Sequence, residues 1–320
     1  MSNLIFFLLF ALLAGCSDDS NKGPGNSDEM KAAQASLSAG DYEEAYKLYI
    51  EAEDKYADPL AQFTLGNFFR AGWGRDPDPV AACQWFGKSA EGDIPYAQHL
   101  YGECLEFGVH QEADPLAAAH WYAEAAKNGH VVSNCYLGWL HMKGIGVEKN
   151  PNRALELCTA ATARSTAAMT WMGHFYLEGD PSIQNNTQAW GWYKQAAEYR
   201  QPEGFYYLGV MLEKGLVENS SVDAALGMYE QAAANAYVDA YYPTGRLYFE
   251  GRRSPETGLP TEEDLAKAYM WLTAAKRRAD DEAQLKSAEA LLHEVLEIMP
   301  ETWIKELDER VDHHFKELDS

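Results

Sequence analysis

The sequence predicts an all-α fold, an α/α solenoid of antiparallel helix pairs. Three regularities lead there. Gly66, Gly102, Gly138, Gly173, Gly209 and Gly245 are separated by 36, 36, 35, 36 and 36 residues. Six residues after each stands a second glycine: Gly72, Gly108, Gly144, Gly179, Gly215 and Gly251. Asp78-Pro79, Asp114-Pro115 and Asn150-Pro151 recur at the same period. A fixed period of this size marks a repeat architecture, in which each unit buries its apolar face against its neighbours. Such folds offer an extended binding surface more often than a catalytic cleft.

The chain opens with Met1-Ser2-Asn3 and an apolar run from Leu4 to Ala14, followed by Gly15-Cys16. The run is too short to span a bilayer comfortably and suits the core of a signal peptide, assigned to residues 1–15. No Lys or Arg precedes it. Leu13-Ala14-Gly15-Cys16 resembles a bacterial lipobox, which implies that Cys16 is lipidated and becomes the first mature residue. Several acyl chains hold a protein firmly on a membrane where one does not. Ser17, not Asp, follows the cysteine, which in the usual enterobacterial scheme favours the outer membrane, facing the periplasm, over the inner. Residues 16–29 are rich in Ser, Asp, Asn and Gly and read as a flexible tether.

Residues 30–60 read as a first helix pair. Gly40 breaks it, and Asp41 with Glu44 forms a capping box. Ala45, Tyr49 and Ala52 resemble the second-helix positions of a tetratricopeptide repeat.

Residues 61–279 hold six units of about 36 residues. In each, apolar and small residues fall at helical spacing on both sides of a turn. The second glycine stands where the first helix stops and suits a left-handed C-cap. Asx-Pro then starts the second helix, the Asx capping free N–H groups and the proline taking the first helical position. The first glycine lies inside a helix, where it costs roughly 0.5–1 kcal/mol against alanine. Close approach of the two helices is the expected compensation, helped by small pairs such as Ala125-Ala126 and Ala196-Ala197.

Leu65-Gly66 with Phe69 and Gly72, then Asp-x-x-x-Ala and Trp-[aromatic]-x-x-Ala-Ala, resemble the Sel-one-like repeat family, a relative of the tetratricopeptide repeat. The resemblance implies a right-handed superhelix. Departures are local. Unit three has Glu156-Leu157 for the aromatic pair, and unit six has Pro243 in its first helix and extra residues around Glu256–Pro260. Beyond the repeats, residues 280–320 read as capping helices. One is marked by Leu291, Leu292, Val295 and Leu296, another by Trp303, Leu307, Val311 and Phe315.

A formal net charge of −23 argues against nucleic acid and against docking on anionic lipid. It suits a cationic partner, or simple solubility in a crowded compartment. Besides Cys16 the cysteines are Cys83, Cys104, Cys135 and Cys158, an even number in an oxidising compartment. Cys83 and Cys104 lie at matched heights about the turn near residues 92–93, and in packing of the resembled type both face the neighbouring helix, so a disulfide is placed there. Cys135 and Cys158 also match in height, but Cys135 is expected in the groove and Cys158 in the core. The alternative for all four is small buried hydrophobes.

Catalytic patterns are absent or incomplete. Gly87-Lys88-Ser89 lacks the upstream glycine of a phosphate-binding loop, and His293-Glu294 lacks the second histidine of a zinc-protease helix. His313 and His314 are adjacent and point to different helix sides. The chain is therefore read as a non-enzyme without metal or cofactor. First helices line the concave face in the resembled solenoids. There the sequence places Trp139, Met142, His174, Leu177, Tyr206, Tyr242, Arg246 and Phe249 in later units, and Asn67, Arg70, Glu103 and Glu106 in earlier ones. Aromatics and Arg are common interface anchors. The reading is a lipid-anchored periplasmic scaffold holding an envelope protein or peptide. A glycan-binding module is the alternative, and a weak cell-wall or β-lactam hydrolase stands behind both.

Overall fold

The computed structural model describes residues 27–279 and 282–319. Cys16, the signal peptide and nearly all of the tether lie outside the described residues. What is described is all-α, and its sole extended pairing is an isolated bridge between Arg253 and Pro260. The chain divides into two compact units, Met1–Ala168 and Met169–Ser320.

The first unit contains α1 (Asp28–Ser38), α2 (Tyr42–Tyr56), α3 (Pro59–Ala71), α4 (Pro79–Glu91), α5 (Pro95–Phe107), α6 (Pro115–Lys127), α7 (Ser133–Lys143) and α8 (Pro151–Thr162). They pack as successive pairs. The boundaries follow from the capping residues. Asp78, Asp114 and Asn150 accept hydrogen bonds from the backbone N–H groups of Ala81, Ala117 and Arg153. Gly72, Gly108 and Gly144 close the first helices in the left-handed conformation, at φ of 69°, 66° and 71°. Apolar layers run through the unit. Tyr49, Leu65, Phe68 and Trp73 fill one, Phe63, Phe86 and Leu100 the next, and Leu105, Tyr122 and Leu140 the third.

Cys83 is joined to Cys104, and Cys135 to Cys158, with Cα atoms 5.8 Å and 4.3 Å apart. The second pair differs from the sequence expectation. Cys135 is not in a groove but fully buried, as Cys158 is. At Cys158 the second helix carries a small side chain where the neighbouring pairs carry an aromatic ring, which leaves space for Cys135 to turn inward.

The second unit holds α9 (Ala167–Glu178), whose first two residues belong to the first unit, α10 (Asn186–Glu198), α11 (Pro202–Glu213) and α12 (Val222–Ala234). Next come α13 (Tyr241–Arg246), α14 (Glu262–Arg278), α15 (Glu282–Ile298) and α16 (Ile304–Asp319). The last two pack on α14 through Leu291, Leu292, Val295, Leu307 and Val311. Leu296 is exposed instead.

The sixth repeat departs most. Its first helix begins as a short 3-10 turn, runs as α13, and continues into a π-turn over Leu247–Gly251. Gly251 therefore lies within a widened turn and is not a left-handed cap. Pro243 sits in the first turn of α13, directly after the 3-10 turn. The extra residues form a loop held by Arg252, which pairs with Asp223 and Asp264 at 3.1 Å each.

In units one, two, four and five the first glycine is explained by a ring of the second helix. A Cβ on Gly102 would lie 2.7 Å from the Tyr122 ring, and one on Gly209 would lie 2.8 Å from the Tyr229 ring. Phe86 covers Gly66 and Tyr193 covers Gly173 in the same way. The second helix thus lays an aromatic face on the bare backbone of the first. The small Ala-Ala pairs are a secondary aid to this packing.

Candidate functional site

The rings that cover the glycines also set the chemistry of the first-helix faces. Their hydroxyls emerge beside polar side chains of the first helices. Tyr122 donates to Glu106 at 2.7 Å, and Tyr229 donates to Glu213 at 2.8 Å. Tyr193 meets His174 Nδ1 at 2.9 Å. Phe86 has no hydroxyl, and there the Arg70 guanidinium lies 5.6 Å from the ring centroid. A core ring thus meets a polar group of the first helix in each case.

In the first unit this face carries a buried polar cluster. Ser133 Oγ lies 2.7 Å from His130 Nδ1 and 3.1 Å from His99 Nδ1. His99 Nε2 faces Glu103 Oε1 at 3.6 Å. Tyr96, Tyr122 and Tyr136 enclose the His99 ring. Burial, and then the neighbouring His130, pulls the His99 pKa down to about 3. Burial alone brings His130 to about 4. Burial raises Glu103 to about 7, with Arg70 opposing and Glu106 assisting. Both imidazoles are therefore neutral at neutral pH. One nitrogen donates to Ser133 and the serine hydroxyl donates to the other ring. Asn67 is buried, not exposed: its amide donates to the Phe63 carbonyl and its oxygen accepts from Arg70 at 2.7 Å.

Trp139 is half-buried with the Lys143 ammonium 4.3 Å from its ring centroid. Met142 is not on the surface at all, being 0 % exposed. Its register equals that of Glu106 and Glu213, which turn towards the second helix to meet tyrosine hydroxyls. The apolar Met142 instead continues into the core, whereas Leu177 at the same register stays half-buried.

In the second unit His174 and Leu177 are half-buried on α9, and Tyr206 on α11. Tyr242 and Arg246 are half-buried on α13. Glu203 can only accept, and it lies 3.3 Å from His174 Nε2. In the neutral imidazole this places the proton on Nε2 and leaves Nδ1 to accept the Tyr193 hydroxyl. Arg246 pairs with Glu213 and Glu250. Phe249 was expected on this surface but is 4 % exposed. It lies in the π-turn, which shifts the helical register and sends it into the core with Leu247 and Leu265. The sequence reading missed Tyr207 and Tyr237. Tyr207 stacks on Tyr193 at 5.0 Å, and Tyr237 lies 5.1 Å from Tyr206.

The Sel1 repeat model matches seven segments: residues 36–55, 59–93, 95–130, 131–165, 166–198, 202–237 and 238–280. The chain belongs to the Sel1 repeat family. The first segment falls in the N-terminal pair that the sequence set apart from the six units. A Sel1 repeat protein from Oxalobacter formigenes is similar over 80 % of this chain and 100 % of its own, at 26 % identity and a TM-score of 0.57. A protective antigen of uropathogenic Escherichia coli displaying an SLR fold is 23 % identical, with a TM-score of 0.46. That alignment covers 82 % of this chain and 56 % of the antigen. No curated protein matches the chain.

Sel1 repeat proteins are generally protein-interaction scaffolds. The repeats here fit that use. Serine, histidine and carboxylate do come together at Ser133, His99 and Glu103, but Ser133 is fully buried and its oxygen is held by two rings. A nucleophile needs an open side from which a substrate carbonyl can approach, and hydrogen-bond donors aimed at the developing oxyanion. The cluster instead ties α5 to the start of α7. Among the described residues no group of three His, Cys, Asp or Glu is placed to hold a metal, and no helix is long and apolar enough to cross a membrane.

Proposed function

We propose that this Sel1 repeat protein is a lipid-anchored scaffold of the bacterial envelope, holding a protein or peptide on its first-helix faces. The observation that carries the reading is the pre-set surface. Half-buried aromatics stand beside carboxylates whose positions are fixed by hydrogen bonds from the core. Preorganised side chains lose little freedom on binding, which favours affinity. The sequence Leu13-Ala14-Gly15-Cys16 supports the anchor and Ser17 supports the outer membrane. A tether of about twelve residues reaches at most about 40 Å and would keep the faces near the membrane, raising their effective concentration for partners there.

Fractionation with crosslinking tests both parts. The wild-type protein is expected with the outer membrane, and Cys16→Ala is expected in the soluble fraction. Crosslinked wild type is expected to retain a partner that a Trp139→Ala/Tyr206→Ala variant of equal stability loses. Membrane retention of Cys16→Ala contradicts the anchor. Equal capture by the double variant moves the binding surface elsewhere.

A further inference from the structure

The second unit gathers more tyrosine on its first-helix side than its core requires. Tyr206 and Tyr207 on α11 have ring centroids 5.1 Å apart, edge to face. Tyr237, after α12, lies 5.1 Å from Tyr206. All three rings are partly exposed. Their hydroxyls have no hydrogen-bond partner among the described residues, unlike those of Tyr122, Tyr193 and Tyr229. Glu203 opens onto the same place. Its side chain is 36 % exposed, one oxygen faces His174, and the other is unbonded among the described residues.

The electrostatics have one sign. Burial, and then Glu203 and other carboxylates nearby, holds the Tyr207 hydroxyl well above the ordinary phenol range. Tyr237 is raised by burial, then Glu203, Tyr207 and Asp239. Tyr206 is raised by burial, then Asp239, Glu213 and Glu178. Among the described residues, no Lys or Arg stands among the groups acting on these three phenols, and no cation–ring contact involves them. The contrast with the first unit is instructive. There a comparable aromatic group is filled from within: Arg75 sits 3.4 Å from the Tyr46 ring centroid and 5.1 Å from that of Phe69.

We infer that Tyr206, Tyr207 and Tyr237 with Glu203 and Asp239 form a receptor for a Lys or Arg side chain of a basic polypeptide segment. The inference rests on the scaffold reading and names its partner's chemistry. Ring faces attract a cation through their quadrupoles, and the attraction grows when the cation is partly desolvated. The carboxylates supply the opposite charge, and the open phenols accept the N–H hydrogen bonds that a guanidinium or ammonium brings. A formal net charge of −23 steers such a segment towards the protein and repels acidic ones.

The test uses the full chain and two synthetic peptides of one sequence, one with free lysines and one with every lysine acetylated. Fluorescence anisotropy at fixed ionic strength reads the affinity. The free-lysine peptide is expected to bind at least about tenfold tighter than the acetylated one, as cation–π and charge contributions together allow. Glu203→Gln and Tyr237→Leu are each expected to weaken it several-fold, and Glu218→Gln, an exposed carboxylate elsewhere, to leave it unchanged. Equal affinity for the two peptides overturns the receptor without relying on any variant. Equal loss in Glu218→Gln and Glu203→Gln, with none in Tyr237→Leu, also overturns it and leaves general charge attraction. If the receptor fails while the wild type still captures an envelope partner on its first-helix faces, the scaffold reading stands and this partner chemistry falls. If no such partner is captured either, both fall.

Discussion

Acidification from pH 6.5 to 4.5 is expected to remove about 2 kcal/mol of stability through one cluster. His99 and His130 have folded pKa values of about 3 and about 4, below their ordinary value of 6.5. A group depressed in this way contributes stability above its unfolded pKa and loses it as pH falls towards the folded one. Glu103 acts in the opposite direction. Its folded pKa of about 7 lies above 4.5, so its contribution is fullest in acid and declines as pH rises through 7. Near pH 5.5 the unfolded chain therefore holds about two protons on these groups and the folded chain about one, and the difference shrinks towards pH 6.5, where the unfolded histidines are half protonated. A difference of one proton gives a slope of about 1.4 kcal/mol per pH unit. The other groups that face the imidazoles are Tyr96, Tyr122, Tyr136 and Ser133.

Two variants separate the contributions. His99→Phe places at this register the residue that the preceding repeat already has as Phe63. It removes one unfolded-state proton, and the cluster's slope is expected to fall close to zero. Glu103→Gln removes the opposing term and is expected to double the slope to about 3 kcal/mol per unit. Urea denaturation at a series of pH values reads all three. Parallel curves for the wild type and both variants would show that the histidines are not held neutral by the fold.

The second large effect is a reversal of sign between two helical glycines of one unit. Gly209→Ala is expected to destabilise by about 1–3 kcal/mol, and Gly209→Val by more. The added Cβ meets the Tyr229 ring at 2.8 Å. That ring is 2 % exposed and its hydroxyl is fixed on Glu213, so it cannot swing aside. Gly227, in the middle of α12, has nothing within 4 Å of an added Cβ. Gly227→Ala is expected to stabilise by about 0.5–1 kcal/mol, the ordinary gain from helix propensity. Thermal melts of the two alanine variants decide the matter. Stabilisation in both would mean that the periodic glycines serve something other than ring packing.

The period that revealed the repeats also held the partner of each glycine. Phe86, Tyr122, Tyr193 and Tyr229 all stand twenty residues after Gly66, Gly102, Gly173 and Gly209. Reading the pairs as a simple close approach of helices left this spacing unused. In the third unit the same position is Cys158, which explains why that repeat closes on a disulfide with Cys135 instead of on a ring. Unit six escapes the rule because its inserted loop shifts the second helix, and Leu272 takes over the cover of Gly245.

The polar clusters were less legible. Ser133 and His99 are 34 residues apart and no local motif joins them. Only stacking of consecutive repeats puts one near the other. Met142 and Phe249 show the limit of a fixed register. Four residues beyond the glycine, Glu106 and Glu213 turn to tyrosine hydroxyls, Leu177 stays half-buried, Met142 enters the core, and Phe249 is carried inward by the π-turn. Tyr207 and Tyr237 were missed for a related reason: one neighbours an interface position on its helix, and the other sits in a connecting turn outside any helical pattern.

The central claim is that partners engage the first-helix faces. Site-specific photocrosslinking in intact envelopes tests it most directly, with the photoreactive residue introduced at position 139, 206 or 116. Trp139 and Tyr206 lie on first helices, whereas Leu116 is 66 % exposed at the start of a second helix. The account predicts a discrete polypeptide adduct from 139 or 206 and none from 116. Adducts from 116 alone, or none from either first-helix position, would contradict it.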